Sequence, residues 1–335
     1  RSQYLPGSAK HVTRTASTCA PCGERRSCAG TDPSSCEPMN ACAFKQVDVF
    51  TSRRFLGNAL AVVLDADGLA DEDMQRVAAW TNLSETAFVQ TPTQSGADYR
   101  VRIFTPRSEL GFAGHPSIGT AHALLEAGLL APDESLLQEC AAGLLPIRVI
   151  GDGSERRIFV RAPRAHVHAP DATPAAAVAS ALATRLSAAH PPRAVDLGLR
   201  WLICDLGDAS SVRALDPDMR ALAALSSAFD VVGISVFGRA QDSDYALVVR
   251  AFAPADGVPE DPVTGSANAA IGAYLHATGQ LDAVGPHYRV SQGREVGRDG
   301  CVDVRIDMDS GDVEIGGQSI TCIDGTLVLP RDASV

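Results

Sequence analysis

The chain has 335 residues, 45% of them hydrophobic and 21% charged, with a net charge of −11 at pH 7. That length suits two domains of ordinary size, and the composition is that of a globular protein. The acidic balance argues against a nucleic-acid surface, which needs a basic stripe, and no apolar run is long enough to span a bilayer. No charged-then-apolar secretory segment opens the chain, so a cytoplasmic location is expected.

Residues 1–38 are rich in Ser, Thr, Pro, Gly, Arg and Cys without an apolar period, which predicts disorder. Cys19-x-x-Cys22 could hold zinc, but neither a second close pair nor a nearby histidine follows. The chain does not begin with Met, and Met39 nearly abuts the first strand-like run. Folded protein is therefore expected to start near Met39, with the leader a tail, an expression remnant or a misplaced start. Phe44–Phe50 alternates apolar and polar residues as a half-buried strand does, and Ala59–Leu64 reads as a short buried strand. Asp71–Thr81 is a helix with three acids in its first turn and an apolar face of Met74, Val77 and Ala78. Glu85–Gln90 and Tyr99–Phe104 are strands, and Pro116–Ala127 is a helix closed by Gly128. Leu144–Ile150 and Arg157–Val160 form a hairpin, residues 164–175 a linker, and Thr173–Ala188 a helix. Strand falls within Val195–Leu206, and Asp216-Pro217 caps a helix running to about Ala228. Val231–Phe237 and Ala246–Phe252 are strands, and Tyr288–Gln292, Val302–Ile306 and Ser319–Leu329 finish the chain.

Two segments repeat. R-I-F-T-P at Arg102 is followed by Glu109, by Gly114-His115-Pro116-Ser117 and by Gly128; R-A-F-A-P at Arg250 is followed by Glu260, by Thr264-Gly265-Ser266 and by Gly279. Glu109 to Glu260, Gly114 to Gly265 and Gly128 to Gly279 share the offset 151. A repeat near half the chain length implies two similar domains. Neither Gly114–Leu125 nor Gly265–Ala277 contains Asp, Glu, Lys or Arg, so each helix is expected to be buried on most sides. Sheet wrapped around a central helix, twice over, is an α+β arrangement. The expected division is 39–165 and 190–335, with the last strand free to return to the first domain and the active site between the two. A dinucleotide fold and a P-loop are disfavoured, because their Gly-rich turns are missing.

Two helix starts facing one cleft make a two-sided anion pocket. Glu85, at a helix-to-strand junction, reads either as a hydrogen-bonded strand-end carboxylate or as a general acid/base whose pKa burial would raise. His115 reads as a helix-entry residue, a donor to a carboxylate or a proton shuttle. Asp261 reads as a cap or a second proton-handling group, and Ser266 as a plain helix start or an oxyanion donor. His166 and His168 sit two apart, but in the linker, and no metal-ligand spacing lies in the core.

The runs Asp48–Asn58, Asn82–Thr86, Gly114–Ser117, Glu260–Ala267 and Gln292–Arg298 together resemble the phenazine-biosynthesis isomerase (PhzF-like) family from Met39 onward. The resemblance implies a diaminopimelate-epimerase-like fold, a homodimer, and a cofactor-independent isomerase that moves a proton on trans-2,3-dihydro-3-hydroxyanthranilate. It implies Glu85 as the acid/base, His115 and Asp261 as orienting and assisting groups, and Gly114, Gly265 and Ser266 as donors to a small carboxylate substrate. Ser117 stands where threonine is usual, which keeps the hydroxyl. No cysteine lies at either helix start, so a two-thiol racemase mechanism is disfavoured. An amino-acid epimerase and a non-catalytic metabolite-binding protein are the competing expectations.

Overall fold

The computed structural model describes residues 40–131, 135–170, 175–241 and 244–329. The leader with its Cys-x-x-Cys pair, and the start near Met39, lie outside the described residues. So do Thr173 and Pro174.

The first half contains β1 (Asn40–Val49), β2 (Asn58–Val63), α1 (Asp71–Thr81), β3 (Thr86–Gln90), β4 (Tyr99–Phe104), β5 (Glu109–Leu110), α2 (Gly114–Glu126), β6 (Ser135–Cys140), β7 (Gly143–Ile150) and β8 (Arg157–Arg161). A two-residue strand, β9 (His166–Val167), and a short helix, α3 (Ala175–Ala181), lead to the second half. That half contains β10 (Arg193–Asp196), β11 (Arg200–Asp208), α4 (Ala209–Arg213), α5 (Met219–Phe229), β12 (Gly233–Arg239), β13 (Leu247–Ala253), β14 (Val258–Asp261), α6 (Gly265–Ala277), α7 (Leu281–Val284), β15 (His287–Gln292), β16 (Gly300–Ile306) and β17 (Val313–Gly317). The closing strand is β18 (Ser319–Leu329).

The pairing repeats strand for strand. β1 runs antiparallel to β2, β2 parallel to β3, β3 antiparallel to β4, and the other edge of β4 pairs with the short antiparallel β5 and the parallel β6. In the second half β10, β11, β12 and β13 follow the same directions, and the other edge of β13 pairs with the short β14 and the parallel β15. Three pairings join the halves: β8 with β17, β9 with β10, and β18 with β1. The fold is α+β: one continuous, mostly antiparallel sheet in two pseudo-symmetric halves, each wrapped around one helix.

Those helices are α2 and α6. Ten residues of each are buried, in keeping with stretches that offer no charged face to water. Both end alike. Gly128 (φ 70°) and Gly279 (φ 67°) take the left-handed conformation that a side chain would strain. Leu129 N–H then donates back to Leu124 O and Gln280 N–H to Leu275 O, satisfying carbonyls the helix leaves open.

Several expectations need correction. The 164–175 linker contains β9, because pairing with β10 satisfies its backbone groups. His166 and His168 flank that short ladder with rings edge to face at 4.5 Å, and His166 is exposed. The helix expected over Thr173–Ala188 stops at Ala181, where the chain soon turns through left-handed Ala183 (φ 51°). Asp216 is not the cap of α5. Asp218 is, accepting from the N–H groups of Arg220 and Ala221 at 2.9 and 3.1 Å, so Pro217 lies before the helix. β6 and β17 were not anticipated. β17 owes its strand form to long-range pairing with β16 and β8.

Candidate active site

The N-termini of α2 and α6 meet in the middle of the molecule. A Cβ placed on Gly265 would fall 2.6 Å from Ile315 Cδ1 and 3.9 Å from the His115 backbone nitrogen; one on Gly114 would fall 3.0 Å from the same Ile315 atom. Glycine at both positions leaves room for the tip of the Ile315 side chain beside the two helix starts. Neither helix has a side-chain cap, so the Gly114, His115, Gly265 and Ser266 N–H groups are first-turn donors without an intrahelical partner. Pro116 has no N–H to leave open.

These helix starts border a cavity of about 440 Å³ that Glu85, His115, Asp261, Gly114, Gly265 and Ser266 all line. The six residues singled out in the sequence therefore share one chamber, although they span residues 85 to 266. The rest of its wall is mainly apolar, including Leu110, Phe112, Val160, Leu197 and Ile315, and no Lys or Arg side chain lines it. Among the described residues, no three His, Cys, Asp or Glu side chains gather as metal ligands would.

Glu85 Oε2 lies 3.3 Å from His115 Nε2. Neither atom has a hydrogen-bond partner among the described residues, so the contact is close without being well aligned. Burial pushes the Glu85 carboxyl above its ordinary value, against a hydrogen bond from Ser84. Burial also depresses the His115 imidazole to about 4, with the Asp261 charge acting in the opposite sense. His115 is therefore neutral at pH 7, and its contact with Glu85 is a polar one rather than an ion pair. The Asp261 carboxyl is raised, first by burial and then by the Glu85 charge, while His115 and Thr264 lower it.

Residues given no role in the sequence hold this arrangement. Asn58 donates to Val263 O at 2.9 Å and lies 3.4 Å from Asp261 Oδ1, tying the first half to the entry of α6. Gln292 is fully buried and donates to Asp261 O at 3.1 Å and to Thr264 Oγ1 at 2.9 Å. Its carbonyl accepts from Thr264 N–H at 3.1 Å and from Asn268 at 2.9 Å. Ser117, one repeat before Asn268, also pairs with a buried glutamine but in the opposite direction, accepting from Gln138 at 3.0 Å. Asn58 and Gln292 end and begin two of the motif runs, which was the available signal. Trp201, which donates to Ser266 Oγ at 3.1 Å, lies in none of them.

Comparison with known proteins agrees with the fold. The family described as phenazine biosynthesis-like protein, PhzC-PhzF, matches residues 47–325. Antisense-enhancing sequence 1 of Schizosaccharomyces pombe is 39% identical over 295 residues, covering 86% of this chain and 99% of that protein. Trans-2,3-dihydro-3-hydroxyanthranilate isomerase of Pseudomonas chlororaphis is 34% identical over 291 residues, covering 84% of this chain and 98% of that protein. The crystal structure of a PhzF-family phenazine biosynthesis protein from Bacillus anthracis superimposes with a TM-score of 0.75 at 28% identity, over 87% of this chain and all of the other. Relatives of this chain at 31% and 34% identity are named isomerases, and the chain is an enzyme of that class. The chain belongs to the phenazine biosynthesis-like (PhzF) family.

Proposed function

We propose that the chain is a cofactor-independent isomerase that moves a proton within a small carboxylate substrate, with Glu85 as its general acid/base. One observation carries this reading: a buried carboxyl, raised in pKa and with one oxygen unpartnered opposite His115, lines an otherwise mainly apolar chamber bordered by two uncapped helix starts. The helix starts supply N–H dipoles for a carboxylate, and Ser266 adds a hydroxyl. Ionised Glu85 takes a proton from carbon. The electron pair left behind delocalises toward the bound carboxylate, where the helix N–H donors stabilise it, the Ser266 hydroxyl holding the carboxylate equally before and after the transfer. Protonated Glu85 then returns the proton to another carbon of the conjugated system. The change is redox-neutral, and it needs no partner beyond the acid/base and the donors. His115 and Asp261 orient the substrate and handle its polar groups.

The substrate proposed is trans-2,3-dihydro-3-hydroxyanthranilate, on which the Pseudomonas relative acts by name. Turnover in heavy water followed by NMR tests it. Deuterium in an isomerised product, absent with Glu85→Gln, is the expected result. Exchange confined to the α-position of an amino acid would instead indicate an epimerase, and ligand stabilisation without exchange would indicate a binding protein.

A further inference from the structure

Ser266 and His115 occupy the same place in the repeat, at the offset 151. His115 brings a ring nitrogen whose direction is set by its side-chain torsions. A serine hydroxyl rotates, and in a first helical turn it can spend its proton on a backbone carbonyl. Something must fix it if it is to serve a ligand.

Trp201, the second residue of β11, donates its indole N–H to Ser266 Oγ at 3.1 Å. Indole nitrogen only donates, so this bond uses a lone pair of the hydroxyl and leaves its proton to be offered elsewhere. The indole is itself fixed. Trp201 is 4% exposed and pairs in register with Gly233 of β12. A Cβ on Gly233 would come within 2.8 Å of Trp201 Cζ3, so the bare backbone forms the floor on which the ring lies. Ser266 lines the cavity, and Trp201 does not.

We infer that Trp201 is a positioning residue that sets the Ser266 hydroxyl as a hydrogen-bond donor to the bound carboxylate; this rests on the carboxylate reading above. Trp201 touches no reacting atom. It converts a rotating hydroxyl into a directed one and completes the donor set on the α6 side.

The test is a double-mutant cycle on the full chain with trans-2,3-dihydro-3-hydroxyanthranilate. Trp201→Phe keeps aromatic bulk and removes the N–H. It should raise KM about tenfold and change kcat by less than about threefold, as loss of one hydrogen bond to a charged group does. Ser266→Ala should give a similar rise, and the double variant should be no worse than Ser266→Ala. Independent, multiplying effects would overturn the inference. A rise in KM with Ser266→Ala but none with Trp201→Phe would remove only the role of Trp201, whereas an unchanged KM with Ser266→Ala would remove the carboxylate reading with it.

A second measurement leaves Trp201 in place and does not depend on turnover. The chain has two tryptophans, and the other, Trp80, is 78% exposed. In Trp80→Phe protein the single indole N–H resonance should shift on addition of benzoate, whose carboxylate is the group to be recognised. Ser266→Ala in that background should move the starting resonance and abolish the response. An indole resonance indifferent to both changes would overturn the inference even if Trp201→Phe does not fold.

Discussion

Glu85 Oε2 faces His115 Nε2 at 3.3 Å across the wall of the cleft, and neither atom has a hydrogen bond among the described residues. Two groups that could exchange a proton are thus kept close but unspent. Glu85→Gln preserves the shape and removes the titrating group, so turnover should fall roughly 10²–10⁴-fold with the fold intact. Because burial raises the Glu85 carboxyl, kcat/KM should decline as pH falls through a value above the ordinary carboxylate range. Near-normal turnover in the variant would mean that the proton is handled elsewhere.

The His115 imidazole is depressed to about 4 in the folded protein from an ordinary value of 6.5. Between those values the unfolded chain binds more protons than the folded one, so this residue makes the protein less stable as pH drops from 6.5 toward 4. The effect is on the order of 3 kcal/mol for a group this buried. Raised Glu85 and Asp261 act in the opposite sense, so the contribution must be isolated by difference. Urea unfolding of the natural chain and of His115→Asn across that window should give converging stabilities at low pH. Parallel curves would show that His115 titrates normally.

Gly265 leaves room for Ile315, whose Cδ1 lies 2.6 Å from where a Cβ would stand. Gly265→Ala should therefore cost about 1–3 kcal/mol through overpacking and should lower activity by displacing a helix start. Ile315→Val removes the obstructing methyl group. In the Gly265→Ala background it should restore stability rather than reduce it further, and thermal unfolding of the four proteins checks this. Additive losses would place the strain somewhere else.

The repeat contains one ion pair twice, in two environments. Arg102 grips Glu109 through two bonds of 2.7 Å, and Arg250 grips Glu260 through bonds of 2.9 and 2.8 Å. Each guanidinium also sits over a phenylalanine ring, Phe104 at 5.1 Å and Phe252 at 5.0 Å. The first carboxylate is 35% exposed and the second only 5%. Glu109→Gln should cost less than about 1 kcal/mol, as for surface pairs. Glu260→Gln strands a buried guanidinium and should cost about 3–5 kcal/mol. Equal losses in denaturant melts would argue that burial does not set the difference.

The sequence by itself determined much of this protein. Uncharged stretches predicted the two buried helices, since a helix without a polar face has no stable place at a surface. The offset 151 predicted two like halves, and in the structure it runs through the helix starts, both left-handed glycine ends and the glutamates of the paired Arg–Glu grips. Glu85, His115, Asp261, Gly114, Gly265 and Ser266 were legible because short motifs mark them and the repeat implies one cleft.

Only the tertiary structure decided the rest. β9 and β17 have weak local signals and exist because distant strands supply their hydrogen bonds. The shortened α3 and the shift of the α5 cap to Asp218 were local choices that several turn-forming residues could have made. The tasks of Asn58 and Gln292, though motif runs mark both residues, and the presence of Trp201 at the site emerged only through partners at least 24 residues away, a separation no local pattern encodes. A side chain's propensity is written in its neighbours along the chain, whereas the hydrogen bond that gives it a task depends on which strands pair.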